Sequence, residues 1–386
     1  MRRTHEISNS SFCSPDGGTE HFIAASAPPD ASFEEQIAVV NTRYRDAVGA
    51  LGLEPETAVF RRLFVSDVMN QASRIVESGL VSDPSEGPVA VSIVQQPPMT
   101  GAKISLLAYH LESDKPVRKE RLSRNHIVVE KNGLRHLWST RLCASDDAGD
   151  FSAEHQTRQV FDDLIGALKG QGGTLRDDCM RTWIYVKDVD VFYQPMVDSR
   201  RELFARHGMN GTSHYIASTG IEGACAHQHD LVAMDAYSVL GLAPGQVSYL
   251  NDFERLNLTR EYNVTFERGT RVAYRDRAHY FISGTASIDR HGEVVHKGDV
   301  MRQLDRALGN VDALLAAGDA SLKDMKYLIV YLRDPTDHAR VASYLDTHFA
   351  DLPVFIVEGA VCRPEWLIEV EGVGVTAHRQ PDLPAF

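Results

Sequence analysis

The stretch SLKDMKYLIVYLRD, residues 321–334, reads as a polar turn leading into a strand apolar enough to lie inside a sheet. The same order recurs upstream in GGTLRDDCMRTWIYVKDVD, residues 172–190, and more faintly in EPETAVFRRLFVSD, residues 54–67. A fixed turn-and-strand phrase that returns at long intervals marks a chain built from copies of one unit.

Working outward from the last copy, HYFISGTASID (279–289) is apolar and β-branched, and RHGEVVH turns at Gly292 and returns, so a β-hairpin is predicted. Val300, Leu304, Leu308, Val311 and Leu315 then recur at spacings of three and four, one apolar stripe on a helix that stops at Gly318. After the quoted stretch a second helix is predicted from Thr336 to Phe349. The closing strands VFIVEGAV and WLIEVEGVGV are joined across Cys362, Arg363 and Pro364.

The middle copy keeps this order: hairpin RNHIVVEKNGLRHLWSTRL, helix TRQVFDDLIGALKG, the central strand, a helix over 191–207, then TSHYIASTGI and DLVAMDAYSV. The first copy offers FEEQIAVVNTRYRDAVGALG, VMNQASRIVESG, PVAVSIVQQPP and KISLLAYHL, with HFIAASAP as a shortened opening hairpin. Each unit therefore reads β-β-α-β-α-β-β, an α+β mixed sheet with helices on one face. The other face is apolar too, and packing three copies around a pseudo-threefold axis would bury it. The expected boundaries are a loose tail at 1–18, unit 1 at 19–112, unit 2 at 125–240, a connector at 241–258 and unit 3 at 259–378. Residues 112–124 are charged and linker-like.

Length and composition agree with a globular protein: 386 residues leave room for two or three domains, and the repeats resolve the number to three. With 40 Lys and Arg against 53 Asp and Glu, the net charge of −13 gives no support to nucleic-acid or membrane-surface binding. An anionic ligand must be held by local arginines. The five cysteines are scattered and odd in number, with no CxxC, which disfavours a zinc ribbon or a disulfide framework and fits a reducing cytoplasm. Neither a signal-peptide core nor an 18-residue apolar run is present in the sequence. His227 and His229 lack the spacing of a metal site and read as an exposed loop, and without a P-loop or Rossmann fingerprint no cofactor is implied.

The words ISGTAS, Gly298-Asp299-Val300 with Gln303, SLKDMKYLIVYLRD and WLIEVEG resemble the Rid (YjgF, L-PSP) superfold. Members are trimers with sites at subunit interfaces, so the resemblance implies a trimer fused into one chain, a monomeric pseudo-trimer or a higher homo-oligomer. Rid deaminases hold the substrate carboxylate with an Arg just after the Pro of the penultimate strand. Here Pro353 is followed by Val354 and Phe355. AVCRPEWLIEVEG is closer to the closing strand of the chorismatases, with Arg363 six residues before Glu369, and RTWIYV resembles their RTWNYV. Gly284 and Cys362 match the hydroxybenzoate-forming branch. EYNVTFERG keeps Tyr262, Phe266, Arg268 and Gly269 but lacks the family's Pro-Arg-Pro insert, and the N-terminal unit is extra to the two-unit pattern.

The resemblance implies a small anionic aromatic-precursor substrate, cleaved at an enolpyruvyl ether to pyruvate and a hydroxybenzoate, 3-hydroxybenzoate by analogy. Such cleavage is limited by proton transfer to carbon and needs a protonated acid in a dry site. Glu369, among Trp366, Leu367, Ile368 and Val370, is the candidate acid, with Glu371 on the same face of its strand. Ala233 and a position near Ser105 align with it, so one competent acid per chain is predicted. Cys362, with a thiolate stabilised by Arg363, is the candidate aid to aromatisation. Arg363, Arg268, Tyr262, Ser283 and Gly284 are the substrate-binding candidates, and Arg277 is a further possible carboxylate holder. Three alternatives stay open: a structural, salt-bridged Glu369; a Rid-type imine or enamine hydrolase of altered specificity; and a non-catalytic ligand-binding protein.

Overall fold

The computed structural model describes residues 6–14, 18–144, 151–225, 229–257, 259 and 264–386. The repeat is present three times, and the elements fall in the predicted order. Unit 1 comprises β1 (Ile7–Cys13), β2 (Thr19–Ser26), α1 (Phe33–Ala50), β3 (Ala58–Val65), α2 (Val68–Val76), β4 (Ala90–Gln95) and β5 (Ile104–Glu112). Unit 2 comprises β6 (Arg118–Arg121), β7 (His126–Lys131), β8 (Leu134–Cys143), α3 (Ala153–Gly170), α4 (Leu175–Asp178), β9 (Cys179–Val186), α5 (Val189–Arg206), β10 (Ala217–Glu222) and β11 (Val232–Leu240). Unit 3 comprises β12 (Val247–Tyr249), β13 (Gly269–Ala273), β14 (Arg277–Ala286), α6 (Val300–Ala316), β15 (Met325–Leu332), α7 (His338–His348), β16 (Val354–Glu358) and β17 (Ile368–Ala377).

The sheet orders are β1-β2-β5-β3-β4, β10-β9-β11-β8-β7-β6 and β12-β13-β14-β17-β15-β16. In each, the closing strand lies antiparallel between the opening hairpin and the central strand, and the central strand runs parallel to the penultimate one. The helices cover one face. On α6 the predicted stripe is buried at Leu304, Leu308, Val311 and Leu315. The Asp299 side chain caps its first turn, accepting from the Arg302 amide. No helix among the described residues is long and apolar enough to cross a membrane.

The other faces of the three sheets turn toward one shared core. Each pair of units contributes an aromatic contact to it: Phe60 with Trp138 at 4.7 Å between ring centroids, Tyr237 with Phe281 at 5.3 Å, and Phe22 with Tyr327 at 5.8 Å. A void of only about 40 Å³ remains among these rings.

Four expectations about the edges need correction. The expected loose tail contains a strand: β1 pairs with β2 along its whole length, and Ser10 Oγ donates to the Lys326 carbonyl of unit 3 at 2.5 Å. Within the linker, Arg118–Arg121 forms edge strand β6 against β7, where Lys119 Nζ reaches the Ala58 carbonyl at 2.8 Å. The connector supplies β12, which pairs with β13. Finally, the sheet neighbour of β14 is the upstream β13 rather than RHGEVVH. With β13 on one edge and β17 on the other, β14 has no ladder left to offer, and the downstream turn forms a lone Ile288–Val294 bridge.

Candidate active site

Glu369 lies near the start of β17, opposite Tyr331 of β15 and Ala286 of β14. The corresponding pairs are Ala233 opposite Tyr185 in unit 2 and Ser105 opposite Phe64 in unit 1, so the carboxyl is peculiar to the third copy. Its side chain enters a cavity of about 160 Å³ between units 2 and 3. Glu369, Cys362, Arg363, Arg268 and Gly284 all line it, joined from unit 2 by Arg200 and Thr219. The residues predicted from three separate stretches of unit 3 thus converge on one interface.

Glu369 is 6% exposed and accepts no hydrogen bond from the described residues. Burial, reinforced by the negative charge of Glu371, pushes its carboxyl up to about 8, against the opposing pull of Arg181 and Arg268. The acid is therefore protonated at neutral pH. Gly284 makes room for it. A Cβ at that position would fall on the Glu369 Oε1 and come within 3.0 Å of the Thr219 methyl, so the glycine admits the carboxyl to the strand surface. The expectation that substrate itself occupies this gap is refined accordingly.

Glu371 is buried and saturated. It accepts from Arg181 Nη2 at 2.6 Å, from Trp183 Nε1 at 2.8 Å and from the Thr219 hydroxyl. Thr219 Oγ1 in turn accepts from the Gly284 amide at 2.8 Å. Between units 1 and 2 the same design recurs, with Asp235 taking Arg62, Ser92 and Tyr185.

Cys362 departs from its expected role. Burial and the nearby Glu369 push its thiol up to about 12, outweighing a hydrogen bond with Tyr193 and the Arg363 charge. Arg363 turns away from the sulfur: its guanidinium stacks over Trp366 at 4.6 Å and Nη1 donates to the Gly292 carbonyl at 2.9 Å. Cys362 is a neutral thiol in the cavity wall, not a thiolate. Arg268 is buried, with Nη2 donating to the Asn257 carbonyl at 3.3 Å and to its side-chain oxygen at 3.2 Å.

Two other candidates lie elsewhere, and a third falls outside the described residues. Ser283 is fully buried and joins the units, its hydroxyl donating to the Glu267 carbonyl at 2.6 Å and accepting from the Ser218 amide at 2.9 Å. Arg277 is neither a surface residue nor a cavity residue. It pairs with Glu20 of unit 1 at 2.6 Å and with Asp276 at 2.8 Å, and Glu20, which also meets His279, is held far below the usual carboxylate range despite its burial. Tyr262 is the third, and His227 also lies outside the described residues. His229 is exposed and packs on Phe151 at 4.8 Å.

Arg200 was missed. On α5 it is 1% exposed, with Nε donating to Thr265 at 3.2 Å, Nη1 to Ser218 at 3.4 Å, and Nη2 without a hydrogen-bond partner among the described residues. No carboxylate among the described residues pairs with it. A buried, uncompensated guanidinium in a cavity wall is a place for an anion. The sequence did carry a signal, because Arg200 sits on the helix face formed by Met196, Val197, Leu203 and Phe204, where an apolar residue is expected.

Comparison with known proteins places the fold in a family. The Endoribonuclease L-PSP family model matches residues 270–376. A RutC family protein of Pyrococcus abyssi is 34% identical over 96 residues, which cover 24% of this chain and 75% of that protein. The chain belongs to the L-PSP (Rid) family. The L-PSP match falls on unit 3, the copy that holds Glu369. The 3-hydroxybenzoate synthase of Streptomyces hygroscopicus is 31% identical over 103 residues, 24% of this chain and 30% of the synthase, so less than a third of that relative's length is spanned. A chorismatase crystal structure superposes with a TM-score of 0.64 at 18% identity, over 83% of this chain and 93% of that one. That likeness is one of fold. Since it exceeds what units 2 and 3 make up, it extends into unit 1.

Proposed function

We propose that the protein is a chorismatase-like enzyme that cleaves the enolpyruvyl ether of chorismate, or of a closely related acid, to pyruvate and a hydroxybenzoate. The observation that carries this reading is a neutral, desolvated Glu369 in a cavity whose other charged groups, among the described residues, are the cations Arg200, Arg268 and Arg363. The guanidinia orient a dianionic substrate. Glu369 gives its proton to the methylene carbon, and the C–O bond breaks from the resulting cation. The Glu369 carboxylate left behind, with a proton affinity suited to neutral pH, takes up the proton lost as the ring aromatises. Pyruvate and a hydroxybenzoate together contain the atoms of chorismate, so the balance needs no cofactor. Direct loss of the ring proton gives 4-hydroxybenzoate; for 3-hydroxybenzoate, which the Gly284 and Cys362 pair favours, the neighbouring ring hydroxyl must first shift to the carbon that the ether oxygen left, a rearrangement that neither adds nor removes atoms.

The test is to incubate the purified protein with chorismate and follow pyruvate and aromatic acids. Product is expected, with a rate that declines above about pH 8 as Glu369 ionises and a loss of about 10²-fold or more in Glu369→Gln. Equal rates in that variant would refute the assignment. Membership of the family keeps a second reading in play, an imine hydrolase. Val354 and Phe355 offer no carboxylate holder, but Arg200 supplies a cation in the same cavity. Turnover of 2-aminoacrylate-derived imines without turnover of chorismate would favour it.

A further inference from the structure

We infer that the buried Arg181–Glu371 pair, reaching from unit 2 into unit 3, tunes the pH at which Glu369 gives up its proton, so that both are positioning residues for the acid. The inference rests on the reading of Glu369 as the proton donor. Residues 369 and 371 share one face of β17, about 6.6 Å apart along the strand. Both side chains of the pair are 1% exposed. Charges so placed act on a neighbour through little water and are screened poorly by salt.

The groups facing Glu369 come from every element packed around it. They are Glu371 on its own strand, Arg181 on β9, Tyr193 and Arg200 on α5, Arg268 before β13, Tyr331 on β15, and Cys362 and Arg363 before β17. Glu371 is the acidic member of that set, and it and Arg181 pull Glu369 in opposite directions. Thr219 couples the pair mechanically as well, since it donates to Glu371 and holds the Gly284 amide on which the Glu369 carboxyl leans.

Stability alone does not call for this pair, because a buried ion pair is on average no better than a well-packed apolar one. Between units 1 and 3 the corresponding positions hold Leu107 and Tyr327, and the buried pair of that interface, Arg277–Glu20, sits on other strands. The Arg62–Asp235 pair between units 1 and 2 lies beside Ala233 rather than an acid, and so it provides a control.

The experiment follows the Glu369 side-chain carboxyl carbon by ¹³C NMR titration in the full chain, without substrate. Its signal is assigned by its loss in Glu369→Gln. The wild-type midpoint is expected near pH 8. In Glu371→Gln it falls by about one pH unit, and in Arg181→Met it rises by a similar amount. Arg181→Lys, which keeps the charge, and the control Asp235→Asn leave it in place. Each single variant carries its own sign, so one folded variant, checked by circular dichroism, is sufficient. Midpoints that stay put in both, move the same way in both, or move equally in Asp235→Asn would overturn the inference. Because no substrate is involved, opposite shifts in a protein inactive on chorismate would uphold the tuning while refuting the proposed reaction.

Discussion

At neutral pH Glu369 retains a proton that it would release in water, and this has a thermodynamic consequence. Its value is about 4.5 in the unfolded chain and about 8 in the folded one. Between those limits the native state binds more protons, so stability falls as pH rises through that window and levels off above it. At pH 7 the difference amounts to about 3 kcal/mol against folding. Glu369→Gln is therefore expected to melt at a higher temperature than the wild type at pH 7, with the gap closing below about pH 4.5. Identical melting at pH 7 would mean that the carboxyl is not desolvated as described. Glu369 was legible because an acid flanked by apolar residues on a central strand is conspicuous. Cys362 was misread because adjacency in sequence to Arg363 says nothing about where the guanidinium points, and it points at Trp366.

Among the elements, β14 matters most to the site. Its register with β17 shifts between Ile282 and Thr285, and the irregularity places Gly284 against the Glu369 carboxyl. In Gly284→Ala the new methyl meets the far end of a flexible side chain, which can swing aside. Folding is thus expected to survive with a loss of about 1 kcal/mol or less, while kcat on chorismate falls by about tenfold or more as the acid is displaced. A variant with unchanged kcat would show that the carboxyl's place beside Gly284 is not needed. The helices and central strands were legible from their periodicities, as the α6 stripe shows. The partner of β14 was not, because RHGEVVH and GTRVA are equally good local hairpin mates and only the occupied edges of the sheet decide between them.

At the scale of the molecule the site belongs to an interface. Arg200, Thr219 and Arg181 come from unit 2, and Glu369, Gly284 and Arg268 from unit 3. A fragment of residues 241–386 lacks the unit 2 wall of the cavity and exposes Phe281 and Tyr327, which pack on Tyr237 and Phe22 in the whole chain. It is expected to bind a hydrophobic dye and to show no turnover of chorismate, measured beside the full-length protein. Full activity in the fragment would remove unit 2 from the site. The three interfaces differ in chemistry: a buried Arg–Glu pair plus Glu369 between units 2 and 3, a buried Arg–Asp pair between units 1 and 2, and the Arg277–Glu20 pair with aromatic contacts between units 1 and 3.

The sequence by itself determined the repeated unit, the α+β class and the presence of a carboxyl on the closing strand of the third copy alone, because periodicity and residue type are local properties that survive without knowledge of neighbours. Only the tertiary structure decided that Arg200 is a buried cation with no carboxylate partner among the described residues, that Ser283 and Arg277 serve the interfaces, and that Cys362 keeps its proton. Those are matters of distance and desolvation between segments far apart in the chain, and they exist only once the three sheets share a core.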